Sequence, residues 1–248
     1  MGPLPLSVPA HDYQQFSGQY STLQIEGSYF LAFSSIPDLI QRYDKIGKRA
    51  LDFGCGTGRS TRFLQGLGLD VAGADINPSM LAQAQQLTNG TSFYRLDSET
   101  LPFEAARFDV IFQSFVLLEY DSISRMIGTF EELNRVLSDE GVIIVVTGSE
   151  DYYCHDWASF EMDRSGVQTL TSGCKVKISI RGTGIVLFDY YWTDHDYRSV
   201  FQQSGFDVVE VVQPLARGDE PFAWVSESRF PCWTIYVLEK QEPKPHQV

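Results

Sequence analysis

Short apolar runs that end on glycine or a carboxylate alternate with stretches whose apolar positions fall at helical spacing, and this alternation predicts a succession of strands and helices. Ala50, Leu51 and Phe53 lead straight into Gly54-Cys55-Gly56-Thr57-Gly58, and a helix is expected over residues 61–67. Residues 69–75 read as a second buried strand that ends on Asp75. Asn77 supplies an N-cap and Pro78 the first helical position, so the next helix starts there. Further on, Lys175-Val176-Lys177-Ile178-Ser179-Ile180 alternates polar and apolar residues. Gly182-Thr183-Gly184 separates it from residues 185–188, which predicts a hairpin. Thr193 to Asp196 cap a helix through Tyr197, Val200 and Phe201 that stops at Ser204-Gly205, and strands are expected over 206–212 and 233–238. Tyr13 and Tyr20, seven apart, fall on one face of an N-terminal helix.

The glycine turn carries the first chemistry. Gly54, Gly56 and Gly58 have no side chain to prevent a tight turn or to keep a ligand from the backbone. Such a turn alone is a weak signal, and an ordinary strand-to-helix loop competes with it. Asp75 lies roughly twenty residues beyond, where an acid at the end of the second strand can accept ribose hydroxyls. The third glycine comes one residue earlier than in G-x-G-x-x-G, and no Lys-Ser/Thr pair follows, which excludes a P-loop.

With that spacing, residues 51–58 together with Gly73-Ala74-Asp75-Ile76-Asn77-Pro78-Ser79-Met80-Leu81 resemble motif I and its sequel in the class I S-adenosylmethionine-dependent methyltransferases, small-molecule branch. The resemblance runs in order over about 45–148. Tyr94 to Ser98 with Leu101-Pro102-Phe103 resembles the loop that holds the adenine, residues 107–115 the fourth strand, and residues 132–146 a helix, turn and fifth strand. It implies an α/β fold with a Rossmann-like seven-stranded sheet whose last strand is antiparallel, residues 206–212 and 233–238 being the last two strands. It further implies S-adenosyl-L-methionine as cofactor, held by Tyr20, Asp52, Gly54, Cys55, Gly56, Gly58, Asp75, Ile76, Met80, Asp97, Ser98, Ser114 and Phe115. Relatives place a tyrosine-bearing N-terminal helix over the cofactor and substrate, a role open here to Tyr13 and Tyr20.

Regular alternation stops between residues 149 and 192, where aromatic residues gather. Tyr152, Trp157 and Trp192 there, with Tyr13, are the expected substrate walls, although core packing is the ordinary use of such rings. His155 and Glu119 are the candidate proton acceptors. His195 is a lesser candidate, since a residue inside a helix cap is more simply a surface group. The expected organisation is one domain over 1–248, with an N-terminal lid (about 1–40), a cofactor core (41–148), a specificity insertion bearing the hairpin flap (149–192) and the rest of the sheet (193–240).

Composition narrows the partners. A formal net charge of −13 argues against an extended nucleic-acid surface. No Asn/Asp-Pro-Pro-aromatic motif of nucleic-acid methyltransferases follows the fourth strand; Gln113-Ser114-Phe115-Val116 stands there. No apolar run is long enough to span a bilayer, and the first ten residues lack a basic leader, so a cytoplasmic protein without membrane contact is expected. Cys55, Cys154, Cys174 and Cys232 lack paired short spacing, so neither zinc nor a disulfide framework is expected. The reading is transfer of a methyl group to oxygen or nitrogen of a small, flat acceptor, by a monomer or homodimer. A non-catalytic cofactor-binding module and an NAD-dependent oxidoreductase are the alternatives.

Overall fold

The computed structural model describes residues 13–43, 47–97, 100–163 and 169–242. In chain order these form α1 (Tyr13–Tyr20), α2 (Ser28–Ser34), α3 (Ile36–Arg42), β1 (Arg49–Phe53), α4 (Arg59–Gly66), β2 (Asp70–Asp75), α5 (Pro78–Leu87) and β3 (Ser92–Arg95). They continue with β4 (Phe108–Ser114), a 3-10 turn at Val116–Glu119, α6 (Ile123–Val136), β5 (Leu137–Gly148), β6 (Phe160–Asp163), β7 (Lys175–Ile180) and β8 (Val186–Tyr190). The chain closes with α7 (Asp194–Gln203), β9 (Phe206–Val212) and β10 (Trp233–Lys240).

The strands that read as continuous apolar runs are the ones covered on both faces. β4 is buried from Phe108 through Gln113, and β5 from Gly141 through Thr147. They sit at the centre of a seven-stranded sheet ordered β3-β2-β1-β4-β5-β10-β9. β10 runs antiparallel to both neighbours, as expected, and the β1–β2, β1–β4, β2–β3 and β4–β5 pairings are parallel. Parallel pairing needs a crossover over the sheet, which the helices between strands provide. One face of the sheet packs on Phe33, Ile36 and Leu39 from α2 and α3, the other on Phe130, Leu133, Val200 and Phe201 from α6 and α7. The expected turn between α6 and the fifth strand is a bulge: Phe108 pairs with Leu137 and Val110 already with Val142.

The expected hairpin exists as β7–β8, closed by Ile180 donating to Ile185 O at 2.9 Å with Gly182 and Gly184 both at φ 73°. It is larger than a hairpin. β6, whose four residues are too few to show a period, adds to β7 and makes a three-stranded antiparallel sheet. Glu227, fully buried, ties this sheet to the N-terminal helices: it accepts from Ser28 Oγ at 2.6 Å, from the Ala158 amide at 2.6 Å and from the Val225 and Ser226 amides. Trp233 Nε1 donates to Ser28 O at 2.6 Å, so β10 is fixed to the same joint. No helix among the described residues is long and apolar enough to cross a membrane.

Candidate functional site

The carboxyl ends of β1, β2 and β4 open into one cavity, where open parallel sheets place their ligands. After β1 the chain turns through Gly54 at φ 73°, Gly56 at φ 51° and Gly58 at φ 80°. Each does different work. A Cβ at Gly54 would stand 2.2 Å from Val116 Cγ2, so this glycine lets the loop after β4 close on the turn. A Cβ at Gly58 would meet Thr88 Oγ1 at 3.0 Å and Ala84 Cβ at 3.2 Å, so this glycine serves the packing of α4 on α5 and does not line the cavity. A Cβ at Gly56 would meet nothing within 4 Å and would project into the space kept for a ligand.

Asp75 closes the other side of the turn. Its Oδ2 accepts from the Gly56 amide and its Oδ1 from the Asn77 amide, both at 2.8 Å, and burial raises its carboxyl above the usual range against these bonds. The carboxylate is thereby fixed by backbone donors and keeps lone pairs toward the cavity. Cys55, Ile76, Met80, Ser114 and Phe115 line the same space, and burial pushes the Cys55 thiol well up, which makes it inert as a nucleophile. Phe115 holds φ 65°, a left-handed conformation that costs a non-glycine residue about 1–3 kcal/mol and is found where a site demands it.

Tyr13 and Tyr20 of α1 both line the cavity, their rings 5.8 Å apart edge to face. The Tyr13 hydroxyl donates to Glu119 Oε1 at the end of the 3-10 turn. Burial raises Glu119 to about 7, with the Tyr13 hydrogen bond acting the other way. Tyr152, just beyond β5, is also at the wall.

Several expected residues lie elsewhere. Asp52 points beneath the turn, not into the cavity: its Oδ2 accepts from Ser60 Oγ at 2.8 Å and Thr61 Oγ1 at 2.5 Å, and burial raises it to about 6. It holds the start of α4. Asp97 is exposed, 2.8 Å from Arg95, and does not reach the cavity; Ser98 lies outside the described residues. Trp157 is fully buried in the core, its Nε1 donating to Tyr152 O at 2.7 Å. Trp192 donates to Tyr120 O at 2.9 Å and packs among α6 and α7 residues. Both indoles found backbone partners in the core, the ordinary fate of such rings. His155 stacks on Phe230 at 3.8 Å between ring centroids, away from the cavity, and His195 is exposed on the first turn of α7.

Among the lining residues that the sequence reading did not name are Tyr29, Arg59 and Asp189. Tyr29 from α2 and Arg59 at the start of α4 stand together, the guanidinium 4.2 Å over the ring. Neither carried a period that marks a site. Asp189 of β8 is 3% exposed, on the face that also presents Leu187 to the cavity. Strand alternation from Leu187 would have found it, because an acid on a buried face calls for a reason.

Comparison with known proteins agrees with this geometry. Residues 51–145 match the methyltransferase domain family. A malonyl-[acyl-carrier protein] O-methyltransferase of Enterobacter lignolyticus is 30% identical over 103 residues, 42% of this chain and 40% of that protein. A demethylmenaquinone methyltransferase of Beutenbergia cavernae is 30% identical over 115 residues, 46% of this chain and 45% of that protein. The chain thus spans less than half the length of these two relatives. In fold it is similar to an S-adenosylmethionine-dependent methyltransferase from Clostridium acetobutylicum, with a TM-score of 0.64 and 13% identity over 94% of this chain and all of that one. Over residues 51–145 the chain is thus similar to the methyltransferase domain family, and its fold is that of the S-adenosylmethionine-dependent methyltransferase from Clostridium acetobutylicum.

Proposed function

We propose that this protein transfers a methyl group from S-adenosyl-L-methionine to oxygen or nitrogen of a small, flat acceptor, as in natural-product or cofactor biosynthesis. One observation carries the reading: a single cavity runs from the open side of Gly56 and the Asp75 carboxylate to a chamber walled by Tyr13, Tyr20, Tyr29, Tyr152 and Phe160. The residues present fit the cofactor. Gly56 leaves room for it, the Asp75 carboxylate suits a pair of ribose hydroxyls, and Arg59 is the cation available at that end for a carboxylate.

When bound, S-adenosylmethionine supplies a methyl carbon already activated by positive sulfur. The chain's own residues need therefore align the acceptor and keep water out, work suited to aromatic walls under a helical lid. The rise of Glu119 to about 7 supports its assignment here as the group that takes a proton from the acceptor near neutral pH. The names of the two relatives support the reaction class and differ in acceptor.

The test is calorimetric titration of the protein with S-adenosylhomocysteine and, separately, NAD, followed by transfer of labelled methyl into a metabolite panel. Binding of the former alone is expected. Binding of NAD would favour the oxidoreductase reading, and tight binding without transfer to any acceptor the regulatory one.

A further inference from the structure

Resting on that reading, we propose that Tyr29 is a positioning residue, which holds the Arg59 guanidinium where it receives the methionine carboxylate of the cofactor. The two side chains reach one cavity from α2 and from the first turn of α4, directly after the glycine turn. The guanidinium lies 4.2 Å over the Tyr29 ring and donates a hydrogen bond to its hydroxyl. Phe33 and Phe115 stand with their ring centroids 5.9 and 6.0 Å from the same guanidinium, and its Nη1 donates to Gln24 O at 3.4 Å. The cation is thus guided from several sides.

Tyr29 is itself fixed. Its ring packs against Phe115, Phe160 and Trp233, with centroids 5.7, 5.0 and 6.4 Å away, and these are rings that wall the acceptor chamber. A ring wedged in that way is a platform, and a cation within about 6 Å of the centroid is attracted by its quadrupole. A guanidinium laid over a ring face still presents N–H groups along its edge, in the fork that matches a planar carboxylate. A carboxylate that leaves water for a cavity walled by rings needs an opposite charge. S-adenosylmethionine carries its carboxylate on the methionine end, and Arg59 follows the turn at which Gly56 leaves a ligand room. The positive charge is felt within the site, since Arg59 acts against the rise that burial imposes on Tyr20.

A guanidinium on a ring also ties α2 to α4. That role serves every ligand alike, whereas a partner for a carboxylate acts only on ligands that carry the group. The two are separated by removing the carboxylate from the ligand.

The experiment is calorimetry on the full chain with S-adenosylmethionine, with its decarboxylated form, which keeps the sulfonium, the amine and the adenosine, and with 5′-methylthioadenosine. The parent protein should bind the decarboxylated form about tenfold or more weakly than S-adenosylmethionine. Arg59→Gln should erase most of that difference while affinity for 5′-methylthioadenosine stays within about twofold of the parent's. Tyr29→Met fills the space without a ring and should shrink the difference about threefold or more, with Tyr29→Leu in its place if it fails to fold. Tyr29→Phe, which keeps the ring face, should retain most of it. Adding Tyr29→Met to Arg59→Gln should shrink it no further, because the tyrosine acts through the arginine. Equal binding of the two forms by the parent, an undiminished difference in Arg59→Gln, or an undiminished difference in the folded ringless variant overturns the proposal. So does a loss in Arg59→Gln that falls equally on 5′-methylthioadenosine, since the guanidinium would then serve only to tie the helices. Failure of the parent protein to bind either S-adenosylmethionine or S-adenosylhomocysteine would instead overturn the methyltransferase reading beneath it.

Discussion

Tyr13 and Glu119, 106 residues apart in the chain, share a hydrogen bond in the lining of the cavity. The bond joins α1 to the turn after β4, and it lowers a carboxyl that burial raises. Tyr13→Phe should therefore move the acidic limb of the kcat/KM profile to higher pH, with S-adenosylhomocysteine affinity little changed. An unmoved limb would detach Tyr13 from the acid. Deletion of residues 1–22 should leave a folded protein, by its melting transition, without methyl transfer; full activity after this truncation would remove the lid from the mechanism.

Gly56 gives a sharper test of the cofactor's place. Its φ of 51° and the open space at its Cβ direction mean that valine both strains the turn and fills the cavity. Calorimetry should find no binding of S-adenosylhomocysteine to Gly56→Val with the melting transition retained. Parental affinity would place the ligand elsewhere.

Asp75→Ala removes the acceptor of two backbone amides as well as a partner for ribose hydroxyls. Loss of charge-assisted bonds of about 1.5–3 kcal/mol each should weaken cofactor binding at least about tenfold. Asp75→Asn, which keeps one acceptor oxygen, should lose less. Equal affinity in the alanine variant would assign the ribose to another residue.

The raised acids set a pH dependence of stability. Glu119 at about 7 and Asp52 at about 6 hold protons more tightly in the folded chain than in the unfolded one. Stability from these groups is therefore greatest at low pH and falls as pH rises from about 4.5 to 7. For Glu119 the effect is at most about 3 kcal/mol, reduced by water that reaches the carboxylate from the cavity. Melting scans should show a transition several degrees higher at pH 5.5 than at pH 8, and Glu119→Gln should flatten part of that slope. A parent protein that gains stability over this range would contradict the sign.

Trp157 and His155 separate core from site. Trp157→Phe strips a buried carbonyl of its donor and should cost about 1–3 kcal/mol in denaturant melts, with acceptor KM unchanged in the protein that remains folded. His155→Ala should leave the pH profile of transfer in place. A lost basic or acidic limb would return the histidine to the reaction.

The chain by itself determined what depends on neighbours in sequence. Three glycines after β1, an acid at the end of β2, and Asn77-Pro78 opening α5 are local devices, because left-handed turns, strand ends and caps are satisfied within a few residues. The hairpin of β7 and β8 was legible for the same reason, while β6 was too short to show a period. Tertiary structure decided which rings and acids share the cavity. Trp157, Trp192 and His155 stood in the right segment and turned to the core or to another surface, whereas Tyr29 and Asp189 came to the cavity from α2 and β8. Burial, and with it the rise of Glu119 and Asp189, comes from segments that meet only when the added sheet, the N-terminal helix and the turn after β4 close on each other.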